Sequence, residues 1–290
     1  MDGSRLTISC GSARFTLPTM PVEDYPRLPA MPTTAGTVAS AEFAGAVGQV
    51  ALAAGRDDTL PMLTGVRLEI DGARMTLAAT DRYRLAVREL DWSPENREAD
   101  AVQVLVPART LADAAKSLSH SETMTIALSG SGSGGTGEGI IGFTGTTNGR
   151  ASRATTRLLE ATFPAYRSLL PNEWSAAAEV TVAPLVEAVR RVALVADRNT
   201  PVRLEFSTGN LALSAGGEDE GRAEENLEAD FEGEGITTAF NPSFLLEGLG
   251  ALEEPVARLL FTTPTKPAVL RPAGGALDYT YLIMPVRLPG

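Results

Sequence analysis

His120 is the only histidine in this sequence, and it stands alone. It lies in the polar stretch SLSHSE, without the partners that a nucleophilic triad or a metal cluster requires. It reads as a solvated loop side chain. The segment SGSGSGGTGEG (129–139) contains G-x-G-x-x-G spacing at Gly132, Gly134 and Gly137. That spacing cradles a pyrophosphate only where a helix follows, because the helix N-terminus supplies the N–H groups and the positive dipole. Here IIGFTG comes next, a strand pattern, so the stretch reads as a flexible hairpin loop. No G-x-x-x-x-G-K-[ST] loop occurs, and neither lysine, Lys116 nor Lys266, follows a glycine. Nine carboxylates face one arginine in 218–234. They lack the spacing of a calcium loop and read as a solvated, outward-facing surface that repels anions. No metal and no cofactor is expected. The basic residues are better placed. Arg190, Arg191 and Arg198 lie off the apolar stripe of one amphipathic segment. Arg56, Arg109 and Lys116 sit on or beside the others. A charged helix face is ordinarily just solvated.

These residues are carried by elements that occur twice. VALAAGR (50–56) is echoed by VALVADR (192–198). Phe43, Val47, Val50 and Ala54 recur at helical spacing, as do Leu185, Val189, Val192 and Ala196; each set is the apolar stripe of a helix that ends in Arg56 or Arg198. VRLEIDGARMTLAAT (66–80) parallels VRLEFSTGNLALSAG (202–216), both alternating around a glycine-containing turn, as β-hairpins do. VLVPARTLADAAKSL (104–118) parallels TAFNPSFLLEGLGAL (238–252), a strand, a proline and a second amphipathic helix. Pro107 and Pro242 suit the first helical turn, and Asn241 suits an N-cap. The near-constant separation signals duplicated domains of about 140 residues rather than a short-period solenoid. Each is α+β. A partial third copy stands in front: residues 5–29 read as a hairpin and a proline-rich connector, and DYPRLP matches FPAYRSLLP as a linker.

Composition agrees with a globular chain: 43% hydrophobic and 21% charged. No apolar run reaches the ~18 residues of a membrane helix, and the start lacks a signal-peptide core. The net charge of −11 excludes a protein coated in positive charge. One cysteine, Cys10, excludes an intrachain disulfide and implies a reducing cytoplasm. Cys10 falls on the apolar side of its strand, where a packing role is expected.

LAATDRYRLAVREL (77–90), FPAYRSLLP (163–171), FNPSFLLEGL (240–249), PTKPAVLRP (264–272) and YLIMPVRLPG (281–290) come in an order and spacing that resemble the bacterial DNA polymerase III β subunits, the sliding clamps. The resemblance implies an α+β fold of repeated DNA-clamp domains, each with two helices packed on curved antiparallel β-sheets. It divides the chain into a remnant of the first domain (1–30), a second domain (33–171) and a third (174–290). Family members carry a complete first domain. Two three-domain subunits close a ring head to tail, so the usual dimeric ring is not expected to close well from this chain. The resemblance also implies a non-enzymatic, cytoplasmic processivity factor. Its partners are duplex DNA of any sequence, the polymerase III α subunit, the clamp loader, other proteins with a clamp-binding motif, and copies of itself; no membrane is involved.

Two sites are implied by the resemblance. The helices line a central hole, where Arg56, Arg109, Lys116, Arg190, Arg191 and Arg198 make mobile phosphate contacts that suit sliding. A peptide cleft lies between the second and third domains. It takes Thr80, Arg82, Tyr83, Arg84 and Leu85 from the loop, and Pro164 and Leu169 from the linker. Asn241 and Phe244 lie nearby, and the terminal segment adds Met284, Pro285, Val286, Arg287 and Leu288. Apolar, adaptable side chains with polar groups at the rim suit an extended motif of glutamine followed by leucine and phenylalanine. Leu85 has a competing reading as a core residue of its strand. Arg82, Tyr83 and Ser168 depart from residues common in the family. A peptide-binding adaptor or decoy that does not encircle DNA is the alternative function, and a nucleotide-dependent oxidoreductase built on the glycine-rich loop ranks third.

Overall fold

The computed structural model describes residues 4–26, 29–96, 98, 100–129, 139–195, 200–217, 221–274 and 278–287. It divides into two compact units, 1–31 and 32–290. In the first, β1 (Arg5–Cys10) and β2 (Ala13–Pro18) form an antiparallel hairpin with Cys10 opposite Ala13. Ile8, Phe15 and Leu17 are exposed, and so is Cys10. The packing role expected of Cys10 is therefore corrected: a two-stranded ribbon offers no second layer for an apolar face to bury against.

The second unit holds two copies of one element order. The first copy runs β3 (Thr33–Ala39), α1 (Ser40–Ala51), β4 (Gly65–Asp71), β5 (Arg74–Thr80), β6 (Arg84–Asp91), β7 (Ser93–Pro94), β8 (Val102–Pro107), α2 (Ala108–Leu118), β9 (Thr123–Leu128), β10 (Ile140–Thr147) and β11 (Arg150–Arg157). The second runs β12 (Ala176–Thr181), α3 (Val182–Val192), β13 (Val202–Ser207), β14 (Asn210–Ala215), β15 (Ala223–Leu227), β16 (Asp230–Glu232), β17 (Ile236–Phe240), α4 (Pro242–Gly250), β18 (Val256–Phe261), β19 (Ala268–Pro272) and β20 (Tyr279–Ile283). The sheet order β11-β10-β9-β3-β7 recurs as β20-β19-β18-β12-β16, and β6-β5-β4-β8 recurs as β15-β14-β13-β17. The alternation read in the two hairpins is the pairing of β4 with β5 and of β13 with β14. Gly72 and Gly209 take the positive φ that these tight turns require.

The apolar stripes bury as their spacing demands. Phe43, Val47 and Val50 of α1, and Leu185, Val189 and Val192 of α3, are at most 1% exposed. Helix α1 packs on β3 to β6, and α2 packs on β4, β8, β10 and β11, so both helices bridge the two sheets of their copy. The helices are shorter than the stripes suggest. After α1 the Ala53 and Ala54 N–H groups bond to Val50 and Ala51, a tightened last turn, and the Gly55 N–H then donates to Leu63 O at 2.7 Å. Arg56 thus stands in a loop rather than at a helix end. Helix α3 passes into a 3₁₀ turn over Ala193–Val195, and Arg198 lies outside the described residues. The two prolines also differ: Pro242 is the first helical residue of α4, whereas Pro107 is the N-cap residue of α2.

The two copies are joined edge to edge. Strand β20 pairs antiparallel with β6 from Tyr279↔Arg88 to Ile283↔Arg84, fusing a five-stranded and a four-stranded sheet into one of nine strands. One apolar core runs through both copies, from Val38 to Ile283. Side chains close the seam. Gln49 Nε2 donates to Ala251 O at 2.9 Å, and Tyr281 Oη donates to Phe244 O at 2.9 Å. A Cβ on Gly248 would lie 2.5 Å from the Tyr281 ring, so α4 reaches the sheet only because this residue has no side chain.

Candidate peptide cleft and basic helix faces

The seam places the loop between β5 and β6 beside α4 and the C-terminal segment. Short polar side chains fold the loop. Asp81 Oδ1 accepts the Tyr83 and Arg84 N–H groups at 3.0 Å each, an Asx turn. Thr80 Oγ1 donates to Arg84 O at 2.6 Å and accepts the Arg82 N–H at 3.2 Å. The turn holds Arg82 at φ 78°, a left-handed conformation that costs a side-chain-bearing residue of the order of 1–2 kcal/mol. Arg82→Gly is accordingly expected to raise stability by about 0.5–1 kcal/mol in urea unfolding; a loss would show that the Arg82 side chain makes a stabilising contact.

Arg84 ties the two copies together. Its side chain is 5% exposed, its Nε donates to Asp81 Oδ2 at 3.0 Å, and its terminal nitrogen pairs with Glu247 of α4. The guanidinium lies 4.4 Å from the Phe244 ring centroid, and the Tyr83 ring stacks on Phe244 at 6.2 Å. Asn241 accepts the Ser243 N–H at 2.9 Å and so caps the turn that carries Phe244. The C-terminal segment is stitched to both copies: the Met284 N–H donates to Tyr83 O and the Val286 N–H to Ala239 O, each at 2.8 Å. Met284, Val286 and Tyr83 are exposed to the extent of 38%, 37% and 58%, a group of large apolar side chains left open at the seam. Pro285 is half-buried, Arg287 is exposed, and Leu288 lies outside the described residues.

The linker is anchored just below. Tyr166 and Phe163 pack with Leu85, Val87 and Leu282 in a small core, and Tyr166 N–H bonds to Pro164 O at 2.8 Å. Pro164 is half-buried, and Leu169, on the same 3₁₀ turn as Tyr166, is 52% exposed. The expectation that Leu85 lines the cleft is corrected: it has no exposed surface and packs in this core. Tyr166 Oη donates to Glu69 at 3.2 Å, and Arg67 and Arg167 also hold that carboxylate. Burial pushes the Tyr166 hydroxyl up to about 12. Burial would raise Glu69 too, but hydrogen bonds from Arg167 and Arg67 outweigh it and hold the carboxyl below its usual range. A depressed folded-state value stabilises above the ordinary glutamate pKa and is lost as pH falls below it. Glu69→Gln is therefore expected to cost about 1–2 kcal/mol at pH 7, with the difference from the parent shrinking below about pH 4. Thermal melts across that range check it, and a pH-independent difference would refute the assignment.

The basic residues gather less closely. Arg109 and Lys116 are exposed on α2, and Arg56 is exposed in its loop. Arg190 pairs with Glu187 at 2.8 Å, and Arg191 is held by both oxygens of Glu225 at 2.6 and 3.0 Å. Glu225 belongs to the acidic stretch, of which 218–220 lie outside the described residues. His120 is exposed, and among the described residues no group of three His, Cys, Asp or Glu could hold a metal. Residues 130–138 of the glycine-rich loop lie outside the described residues; Ser129 and Ile140 pair across its base, and the chain continues into β10 rather than a helix.

The contacts missed in the sequence are those of Asp81, Glu69, Glu247, Gln49 and Tyr281. Asp81 carries a local signal, since an aspartate two residues before the turn's end forms an Asx turn. The others act across the seam or between distant strands and leave no mark on local spacing.

The fold and the seam define a protein of repeated clamp domains. Residues 37–165 match the family model for the central domain of the DNA polymerase III beta subunit, and residues 167–287 match that for its C-terminal domain. A beta sliding clamp of Streptomyces coelicolor is 58% identical over all of this chain and 76% of its own length. The beta sliding clamp homolog GriR of Streptomyces muensis is 44% identical over 99% of this chain and 75% of its own length. The crystal structure of the DNA polymerase III subunit beta from Pseudomonas aeruginosa superposes with a TM-score of 0.85 at 27% identity, over 99% of this chain and 75% of that one. The chain belongs to the β sliding clamp family, the β subunits of DNA polymerase III. No described helix is long and apolar enough to cross a membrane.

Proposed function

We propose that this chain works as a cytoplasmic, non-enzymatic processivity factor that encircles duplex DNA and docks its partners at the cleft between the repeats. The observation that carries the reading is the C-terminal segment, bonded through Met284 to the Tyr83 loop and through Val286 to β17. That arrangement leaves Met284, Val286 and Tyr83 open beside a hydrogen-bonded backbone frame, and Leu169 of the linker is exposed as well. Such a frame suits an extended peptide, with apolar pockets for its leucine and phenylalanine and Asn241 nearby, while the buried Arg84 braces the wall through Asp81 and Glu247. The polymerase III α subunit, the clamp loader and other proteins bearing the clamp-binding motif are the partners. DNA is touched through phosphates by Arg109, Lys116, Arg56 and Arg198, and by Arg190 and Arg191 once they exchange their carboxylates. Retention comes from enclosure rather than affinity.

A second reading has its own support. Glu187 and Glu225 already occupy two of the helix-borne arginines, which weakens the basic face and favours a peptide-binding adaptor that does not enclose DNA. The chain is loaded by a clamp loader onto nicked circular duplex and passed through gel filtration. Retention that is lost on linearising the DNA supports the clamp. Absence of retention, with peptide binding intact, supports the adaptor and overturns the clamp.

A further inference from the structure

Strand pairing closes the seam in the sheet, but on the helix side it stays unfilled: α1 and α4 leave a groove between them, with about 620 Å³ of open space. Glycines make the room. Gly45 and Gly48 of α1 and Gly250 of α4 line the groove, and a Cβ on Gly48 or Gly250 would meet nothing within 4 Å. We propose that this groove binds a linear diamine, a short alkyl chain with an ammonium group at each end.

The polar side chains on its walls are acceptors with capacity to spare. Gln49 is 8% exposed; its Nε2 is committed to Ala251 O, and its Oε1 has no donor among the described residues. A polar atom on so buried a side chain calls for a partner. Glu253 is exposed and in no ion pair among the described residues, and its Oε1 would lie 3.7 Å from a Cβ on Gly45. Glu247 shares Arg84 with Asp81, so two carboxylates face one guanidinium and the cluster keeps a net negative charge. The backbone adds to that sign. Helices α1 and α4 both end at the groove, in Leu52 and Ala251. A helix C-terminus carries partial negative charge and open carbonyls that a cation satisfies. Helix α2 has Lys116 in its last turn and α3 has Arg190 and Arg191, whereas α1 and α4 have no basic residue there.

The acceptors stand at two stations. Glu253 lies at Gly45 and the Gln49 amide at Ala251, and the two α1 residues are about 6 Å apart along the helix axis. The rest of the lining is glycine, Leu52, Ala251 and Leu252. Methylene groups suit that surface, and an ammonium group, which only donates, suits each station. A small divalent ion fits less well, because it needs a full shell of oxygen ligands and no group of three His, Cys, Asp or Glu among the described residues could hold one. The proposal goes beyond DNA and peptide binding and depends on neither.

Calorimetric titration of putrescine into the 290-residue chain at low ionic strength tests it. One saturable site per chain is expected, and butylamine, with a single ammonium group, should bind at least about tenfold more weakly. Glu253→Gln should weaken putrescine by about tenfold or more. Gly48→Leu should abolish binding by filling the groove, with a thermal melt at or above the parent's because α1 loses a helical glycine. Glu228→Gln, at an exposed acid away from the groove, should change nothing. Absence of a saturable site overturns the proposal, as does parent-like binding in Gly48→Leu. Equal affinity for butylamine would reduce the groove to a site for one ammonium group, and equal weakening by Glu228→Gln would show only diffuse counterion binding to an acidic surface. Displacement of putrescine by magnesium at equal concentration would assign the acceptors to a metal ion. Each of these three results overturns it too.

Discussion

Removal of residues 285–290 is expected to weaken a glutamine–leucine–phenylalanine clamp-motif peptide by at least about tenfold, or about 1.4 kcal/mol. The deletion takes away Val286, one of the exposed apolar side chains at the seam, together with the bond from its N–H to Ala239 O. A buried leucine or phenylalanine of the peptide gains roughly 1.5–3 kcal/mol before ordering costs, so losing one wall of its pocket forfeits a large part of that. Met284→Ala should weaken binding by less, through lost contact alone, because its N–H bond to Tyr83 remains. Arg109→Ala, on the exposed face of α2, should leave peptide affinity as it is. Calorimetric titration of the three variants decides the matter. Parent-like affinity in the deletion, or damage from Arg109→Ala, would sink the cleft assignment.

Tyr281→Ala should have the largest effect on stability, a loss of about 3–5 kcal/mol, as for other fully buried aromatic side chains. Tyr281 has no exposed surface, its ring fills the space left by Gly248, and its hydroxyl holds Phe244 O. It differs from other core aromatics in bracing α4 against the seam. Phe143→Ala, equally buried but packed on Phe43 within the first copy, should cost a similar amount. The pair separates a general from a local role. In conditions where both variants are folded, Tyr281→Ala should also reduce peptide affinity, because Phe244 loses its support, and Phe143→Ala should not. Equal peptide affinities in the two would refute the bracing role.

Much of the fold could be read from local spacing. The stripe of Phe43, Val47 and Val50 and its echo at Leu185, Val189 and Val192 are buried helix faces, and Asn241 caps α4. What local spacing could not convey was closure between copies. Arg84 and Glu247 are 163 residues apart, and nothing in either neighbourhood announces their meeting. The pairing of β20 with β6 is a backbone register, which alternation specifies for a face but not for a partner. Helix ends were overrun at Arg56 because the apolar period continues through Ala53 and Ala54, residues buried in the turn after the helix. Of the proposed cleft, Thr80, Tyr83, Leu169, Met284 and Val286 came from motif resemblance, while the contacts of Asp81 and Glu247 needed coordinates.

The nine-stranded sheet bears on how such a chain drifts over evolutionary time. The seam rests on main-chain groups along five paired residues, from Tyr279↔Arg88 to Ile283↔Arg84, and every amino acid except proline brings the same N–H and C=O to that task. Substitutions on either strand alter packing without erasing the joint itself, so the junction has few positions at which one mutation is fatal; Tyr281 and Gly248 beneath its ring are the clear exceptions. A scaffold of that kind lets its surface be rewritten while its architecture is inherited intact, in keeping with a TM-score of 0.85 at 27% identity to the Pseudomonas aeruginosa subunit.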